Sequence, residues 1–150
     1  MNQFYIALGL DNKAQLLLNR WYLRSFDEDK TEQENMGFSN NQTMNNFIES
    51  IHGRVQKFAT LKVPSGNILD IGCGSGLYLD PLQDSKRRLF GIDLCDSFLN
   101  QARKKIPEGI FFQGDFLDFS NKDTKFSFIL SIGALEYIVP SKIGEYFDKV

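Results

Sequence analysis

The chain has 150 residues, a length typical of one domain that buries most of the surface exposed by its unfolded form. Its 17 lysines and arginines against 19 aspartates and glutamates give a formal net charge of -2, which argues against strong binding to nucleic acid or an anionic membrane. A hydrophobic content of 42% with 14 phenylalanines argues against disorder, and no apolar stretch approaches the ~20 residues of a membrane span.

The N-terminus and the cysteines favour the cytoplasm. The apolar run at residues 4–10 has no basic residue before it and no small-residue cleavage pattern after it, so we expect no signal peptide. Cys73 and Cys95 lie inside apolar segments, a pattern that indicates neither a disulfide framework nor a metal cluster. We therefore expect a cytoplasmic protein with reduced thiols.

Two amphipathic helices are predicted in the first part of the chain. Residues 12–24 carry apolar side chains at helical spacing behind Asp11, a possible N-cap. Residues 25–46 are mostly polar and are interpreted as a mobile loop or linker. Apolar residues at steps of three and four then predict a helix over residues 44–58, which ends before Pro64.

The rest of the chain alternates strands with helices. Strands are predicted at residues 67–71, 89–93, 110–113 and 126–132. Helices are predicted directly after the first strand, at residues 97–106 behind Asp96 as N-cap, and at residues 142–150. This alternation is typical of βαβ units, so the predicted fold is α/β, a parallel sheet with flanking helices preceded by an N-terminal helical segment.

A glycine-rich loop follows the first strand, where residues 70–76 read Asp-Ile-Gly-Cys-Gly-Ser-Gly. Alternate glycines let the backbone turn tightly and approach a ligand, although such a loop alone is also compatible with a plain strand-to-helix turn. The dinucleotide fingerprint needs its third glycine one residue after Gly76, and the Asp70 carboxylate would repel a pyrophosphate. A nicotinamide dinucleotide is therefore disfavoured.

Residues 68–77 resemble motif I of the class I S-adenosylmethionine-dependent methyltransferases, and three later segments resemble further motifs of that family in the same order. The resemblance implies a Rossmann-like sheet and S-adenosylmethionine as the cofactor. The cofactor-binding residues that it implies are Asp70, Gly72, Cys73, Gly74, Gly76, Asp93, Leu94, Asp115, Phe116 and Ser131.

The resemblance also assigns roles within this set. It implies that Asp93 accepts hydrogen bonds from both ribose hydroxyls, and that Asp115 accepts one from the adenine amino group. Leu94 and Phe116 would flank the adenine. A simpler interpretation stays open for both aspartates, since each could simply cap the turn after its strand without binding a ligand.

The implied reaction is in-line transfer of a methyl group to a small-molecule acceptor. A general base is needed only if the acceptor arrives protonated, and Glu136 and Tyr137 are hypotheses for it by position alone. The family's motif for methylating base amino groups is absent at residues 131–134, and Ser131 stands where related enzymes place a metal-binding aspartate. Nucleic acid and metal are therefore not expected, and His52 is interpreted as a surface or satisfied histidine.

The predicted division is a cap segment at residues 1–43 and an S-adenosylmethionine-binding Rossmann-like domain at residues 44–150. The segment from Asp11 to Val63 is expected over the cofactor cleft, with Trp21, Tyr22 and Arg24 as candidate contacts. The simpler interpretation of these three is core aromatics and a surface arginine. Two other functions are weighed, a non-catalytic S-adenosylmethionine-binding module that acts with a partner and, more distantly, a nicotinamide-dependent oxidoreductase.

The sheet is expected to be incomplete in this chain. Members of the resembled family continue beyond the fourth strand with further strands, so that strand would form a bare edge here. An exposed apolar edge pairs readily with another chain. We therefore expect a partner chain or a further C-terminal segment to cover it.

Overall fold

The computed structural model describes residues 11–25, 27, 29–30, 32–35, 41–121 and 123–150. The helices are α1 (Asp11–Ser25), α2 (Glu32–Asn35), α3 (Gln42–Lys62), α4 (Asp96–Lys105) and α5 (Ile143–Lys149). The strands are β1 (Gly66–Ile71), β2 (Arg87–Asp93), β3 (Ile110–Gln113) and β4 (Phe128–Leu130), and short 3-10 helices lie at Asp80–Leu82, Leu135–Tyr137 and Pro140–Lys142. The apolar run at residues 4–10 and the centre of the predicted linker, residues 36–40, lie outside the described residues.

The four strands form one parallel sheet in the order β3-β2-β1-β4. In the register of the central strand, Ile68 pairs with Leu89 on one side and with Phe128 on the other. This sheet with flanking helices confirms the predicted α/β class. In the described part of the chain, no helix has both the length and the apolar character needed to cross a membrane.

Both faces of the sheet are buried, which explains why its central strands place apolar side chains on both sides. Ile68 and Leu89 point to one face, where α3 and α4 pack with residues such as Leu99. Their neighbours in sequence, Leu69 and Phe90, point to the opposite face, beside Phe116 and Tyr146. Because successive side chains of a strand alternate in direction, each face needs its own apolar set.

The prediction of a helix directly after the glycine-rich loop is wrong. In its place the chain makes successive turns and the 3-10 helix Asp80–Leu82. Gly76 has a φ of 77°, outside the right-handed helical region. Pro81 lacks a backbone N–H, and β2 already begins at Arg87, so a regular helix has no room to extend.

Three predicted boundaries are also corrected. Cys95 holds the N-cap position of α4, and Asp96 lies inside the first turn, where its carboxylate is 3.3 Å from Arg103. The predicted linker contains α2, and α3 begins within that linker at Gln42. The fourth strand is shorter than predicted because β1 pairs with only three of its residues.

Candidate functional site

A cavity of about 480 Å³ lies at the carboxyl edge of the sheet. Small-molecule sites typically span about 300–1,000 Å³, and in parallel α/β sheets they form at this edge. The wall consists of residues at or beyond the ends of the four strands, together with side chains from α1, α3 and α5. Most lining residues are apolar, and the acidic ones are Asp93, Asp115 and Glu136.

The glycine-rich loop is fixed to the end of β2 by backbone hydrogen bonds. The N–H groups of Gly72 and Cys73 donate to the Ile92 carbonyl at 2.8 and 3.1 Å. Gly72 has a φ of 72°, and a Cβ at this position would lie 2.7 Å from the Cβ of Ala134. Glycine is therefore required here by both backbone conformation and space.

The predicted cofactor residues divide into two groups. Those that line the cavity are Gly72, Cys73, Leu94, Asp93, Asp115 and Phe116. The other four, Asp70, Gly74, Gly76 and Ser131, lie outside this lining. Gly76 instead faces α4, since a Cβ there would lie 3.1 Å from Ile106 and 3.3 Å from Ala102.

Asp93 is a buried carboxylate at the end of β2, with 5% of its surface exposed. It accepts hydrogen bonds from the N–H of Gly74 at 3.0 Å and from the N–H of Cys95 at 2.8 Å. The hydroxyl of Tyr22 lies 3.4 Å from the same carboxylate. Two backbone donors thus hold Asp93 at the cavity wall, with Gly74 acting on the site through it.

Asp115 lies two residues beyond the end of β3, next to the strand end that carries Asp93. Its Oδ1 accepts from the N–H of Leu117 at 2.9 Å, and its Oδ2 accepts from the side-chain amide of Asn19 at 2.8 Å. The N–H of Gly114 donates to the Asp93 carbonyl at 2.9 Å, which ties the two strand ends together. The two predicted adenosine contacts therefore lie on one wall.

Helix α1 closes this wall through residues that the sequence did not single out. Gln15 is 5% exposed, and its amide nitrogen donates to the Tyr137 carbonyl at 2.8 Å. Its amide oxygen accepts from the N–H of Val139 at 3.0 Å. We call these two hydrogen bonds the Gln15 clasp. Gln15 also donates to Asn19 at 2.8 Å, which continues the network to Asp115.

The three candidate contacts of the cap segment have different positions. Tyr22 is buried, lines the cavity and meets Tyr137 edge to face at 4.7 Å between ring centroids. Trp21 is 59% exposed, and neither Trp21 nor Arg24 lines the cavity.

The loop after β4 carries both residues considered as a base. Glu136 and Tyr137 line the cavity, whereas the Ser131 hydroxyl lies 2.5 Å from the Tyr146 hydroxyl. Burial raises the pKa of Tyr137, and the negative charges of Glu136 and Asp93 raise it further. Tyr137 is therefore a neutral phenol near pH 7.

His52 lies on α3 and does not line the cavity. Its ring meets that of Tyr78 edge to face at 4.9 Å between centroids. Partial burial lowers the pKa of His52, against the opposing influence of Glu49 and Asp80. The imidazole is thus a packing group that favours its neutral form.

Comparison with known families gives one match over more than half of the chain. Residues 68–150 match the family described as a methyltransferase domain. The matched segment begins within β1 and includes the glycine-rich loop, both cavity aspartates and the loop of Glu136.

Two curated relatives come from Streptomyces. The dTDP-3-amino-3,4,6-trideoxy-alpha-D-glucopyranose N,N-dimethyltransferase of Streptomyces venezuelae is 32% identical over 45% of this chain and 28% of its own length. The dTDP-3-amino-3,6-dideoxy-alpha-D-glucopyranose N,N-dimethyltransferase of Streptomyces fradiae is 36% identical over 37% of this chain and 22% of its own length. The chain therefore spans less than a third of either relative.

A solved structure shows the same fold. It is a TehB-like SAM-dependent methyltransferase from Corynebacterium glutamicum, with a TM-score of 0.57 and 23% identity. The similarity covers 63% of this chain and 53% of that protein. The arrangement of strands and helices is thus shared with an enzyme of distant sequence.

Proposed function

Since this chain belongs to the methyltransferase domain family, we propose that its cavity binds S-adenosylmethionine and that it takes part in methyl transfer to a small molecule. S-adenosylmethionine is the cofactor of this family. The observation that carries the proposal is the convergence of Gly72, Asp93 and Asp115 on one cavity. The chain spans less than a third of the length of either curated relative, so the activity is a proposal and cofactor binding is the part tested below.

The residues at the cavity suit this cofactor. The left-handed glycine at position 72 lets the backbone approach a ligand, and Asp93 and Asp115 offer acceptors for ribose hydroxyls and an adenine amino group. Leu94 and Phe116 supply apolar surface for a flat ring. The bound cofactor would supply an electrophilic methyl group, so the chain's task is to position the reactants and exclude water.

The remaining predicted cofactor residues act indirectly in this proposal. Gly74 orients the Asp93 carboxylate through its N–H, and Gly76 permits close packing of the loop on α4. Asp70 is buried at the end of β1, and Ser131 contacts Tyr146. Direct contact of these four with the cofactor stays a prediction.

We also propose that another segment or a partner chain pairs with β4. In the sheet described here β4 is an end strand, bonded to β1 alone. Phe58 of α3 packs on Phe128 of this strand at 5.1 Å between ring centroids and is itself 48% exposed, so apolar surface continues beside the edge. Cytoplasmic location stays a proposal, supported by two buried cysteines that carry thiols rather than a disulfide.

Calorimetry with purified protein tests the cofactor proposal. We expect saturable binding of S-adenosylmethionine and no binding of NAD. Asp93→Asn should weaken S-adenosylmethionine binding by about 10-fold or more, because hydrogen bonds to a charged group contribute about 1.5–3 kcal/mol each. Asp96→Asn is the matched control, since Asp96 is exposed and outside the cavity, and should bind as the unaltered chain does.

Circular dichroism must show that each variant is folded. Asp115→Asn provides a second variant that leaves the backbone contacts of Asp93 intact. Equal affinity in the original chain and both cavity variants, or preferential binding of NAD by the folded chain, would overturn the proposal.

A further inference from the structure

The charges that line the cavity are all of one sign. Asp93, Asp115 and Glu136 are its acidic residues, and no lysine, arginine or histidine is present among the described residues that line it. The remaining lining side chains are apolar or neutral. In a partly desolvated space such a wall favours a guest with net positive charge over one with net negative charge.

Glu136 differs from the two aspartates in its surroundings. Backbone N–H groups hold Asp93 and Asp115 in place, and both lie on the wall assigned to adenosine. Glu136 lies on the loop after β4 and is exposed. Among the described residues no basic side chain forms an ion pair with it.

The surface contributed by α3 to the cavity is apolar. Phe47, Ile48 and Ile51 line the cavity from this helix, and Tyr78 adds an aromatic ring. Phe47 remains 59% exposed, so apolar area is available to a guest. A ligand that fits here combines an apolar body with a positively charged end.

We propose that the methyl acceptor is a basic amine on an apolar small molecule, and that the Glu136 carboxylate binds the ammonium group and accepts its proton. This inference rests on the proposed function and specifies the acceptor. The ammonium transfers one proton to Glu136, and the freed nitrogen lone pair forms the N–C bond. The S–C bond of the donor breaks with its electron pair remaining on sulfur, giving an N-methylammonium product and S-adenosylhomocysteine.

Two further observations support Glu136 rather than its neighbour. Tyr137 has a raised pKa because of burial, so its phenol keeps its proton near pH 7. The Glu136 Oε1 atom lies 4.0 Å from the position of a Cβ on Gly133, so the carboxylate folds back over the loop where that glycine also lines the cavity.

Binding of three matched probes to the protein saturated with S-adenosylhomocysteine tests this inference. The probes are 2-phenylethylamine, 2-phenylethanol and 3-phenylpropanoate, measured by ligand-observed NMR titration. We expect the amine to bind about 10-fold more tightly than the alcohol or the acid. Glu136→Gln should remove this preference, while Glu145→Gln, an exposed glutamate outside the cavity that pairs with Lys142, should keep it.

Equal binding of the acid and the amine, an unchanged amine preference in Glu136→Gln, or absence of amine binding would overturn the inference. Calorimetry of S-adenosylhomocysteine on the same samples separates this result from failure of the cofactor proposal. A chain that binds S-adenosylhomocysteine but not the amine refutes the acceptor class alone, whereas one that binds neither refutes both.

Discussion

Gly72 is the residue of the loop where substitution has the clearest expected consequence. Its φ is 72°, and a Cβ added here would lie 2.7 Å from the Cβ of Ala134, which leaves no room for a side chain. We expect Gly72→Ala to cost about 1–3 kcal/mol of unfolding free energy, the usual range for a non-glycine residue held in a strained region, and to weaken cofactor binding. Urea denaturation and calorimetry measure the two effects.

Gly144→Ala is the control for this prediction. No atom lies within 4 Å of a Cβ built on Gly144, which lies in α5. Alanine there should leave stability unchanged or raise it by about 0.4–1 kcal/mol, because the unfolded chain loses conformational freedom. Equal stability of both alanine variants would contradict the steric argument at Gly72.

At this scale Asp93 and Asp115 were predicted from the resemblance of their segments to methyltransferase motifs, and both line the cavity. Asp93 ends β2 and Asp115 follows β3, and these two strands pair in the sheet, which brings the two carboxylates to the same edge. No sequence pattern marked Gln15 and Asn19 as parts of the site. They are polar residues on an amphipathic helix, and their partners lie 96 to 124 residues away along the chain.

The attachment of helix α1 to the cavity wall can be tested at its hydrogen bond with Asp115. Asn19 donates to Asp115 at 2.8 Å, so Asn19→Asp would place two carboxylates opposite each other. We expect amide hydrogen exchange in α1 to become at least 10-fold faster, equivalent to about 1.4 kcal/mol. The effect should shrink at acidic pH, where a carboxylate regains its proton.

Arg20→Ala is the control on the same helix, because Arg20 is exposed and outside the cavity. Its exchange rates should stay within experimental error of those of the unaltered chain. If the amides of α1 exchanged no faster in Asn19→Asp than in Arg20→Ala, the contact between α1 and Asp115 would not stabilise the attachment of the helix.

Element types were more predictable than element ends. The helix over residues 12–24 and all four strands follow from apolar spacing, which reports directly on burial. The helix expected after the glycine-rich loop failed because Pro81 and the early start of β2 leave too few residues, a constraint set by the sheet. The division between residues 43 and 44 stays a prediction. Helix α3 begins at Gln42 and therefore crosses this point.

For the whole molecule, the lowered pKa of His52 predicts how the free energy of unfolding changes with pH. His52 is the chain's one histidine, and burial lowers its pKa below the ordinary 6.5. Below pH 6.5 the unfolded chain therefore binds a proton that the folded chain resists, so the free energy of unfolding falls as the pH falls. We expect His52→Gln to flatten this dependence between about pH 7 and 5.5 in urea denaturation.

Lys57→Gln, an exposed change on the same helix, should retain the original pH dependence. A His52→Gln variant that loses stability as steeply as the unaltered chain would show that other groups control stability in this range.

The Gln15 clasp also has a consequence for synthesis of the protein. Its partners stand 122 and 124 residues later in the chain. At about 5–20 residues per second, α1 leaves the ribosome roughly 6 to 25 seconds before they do. The clasp can therefore form only after all four strands of the described sheet have been synthesised, later than the contacts of Tyr22 with Asp93 and of Asn19 with Asp115 can form.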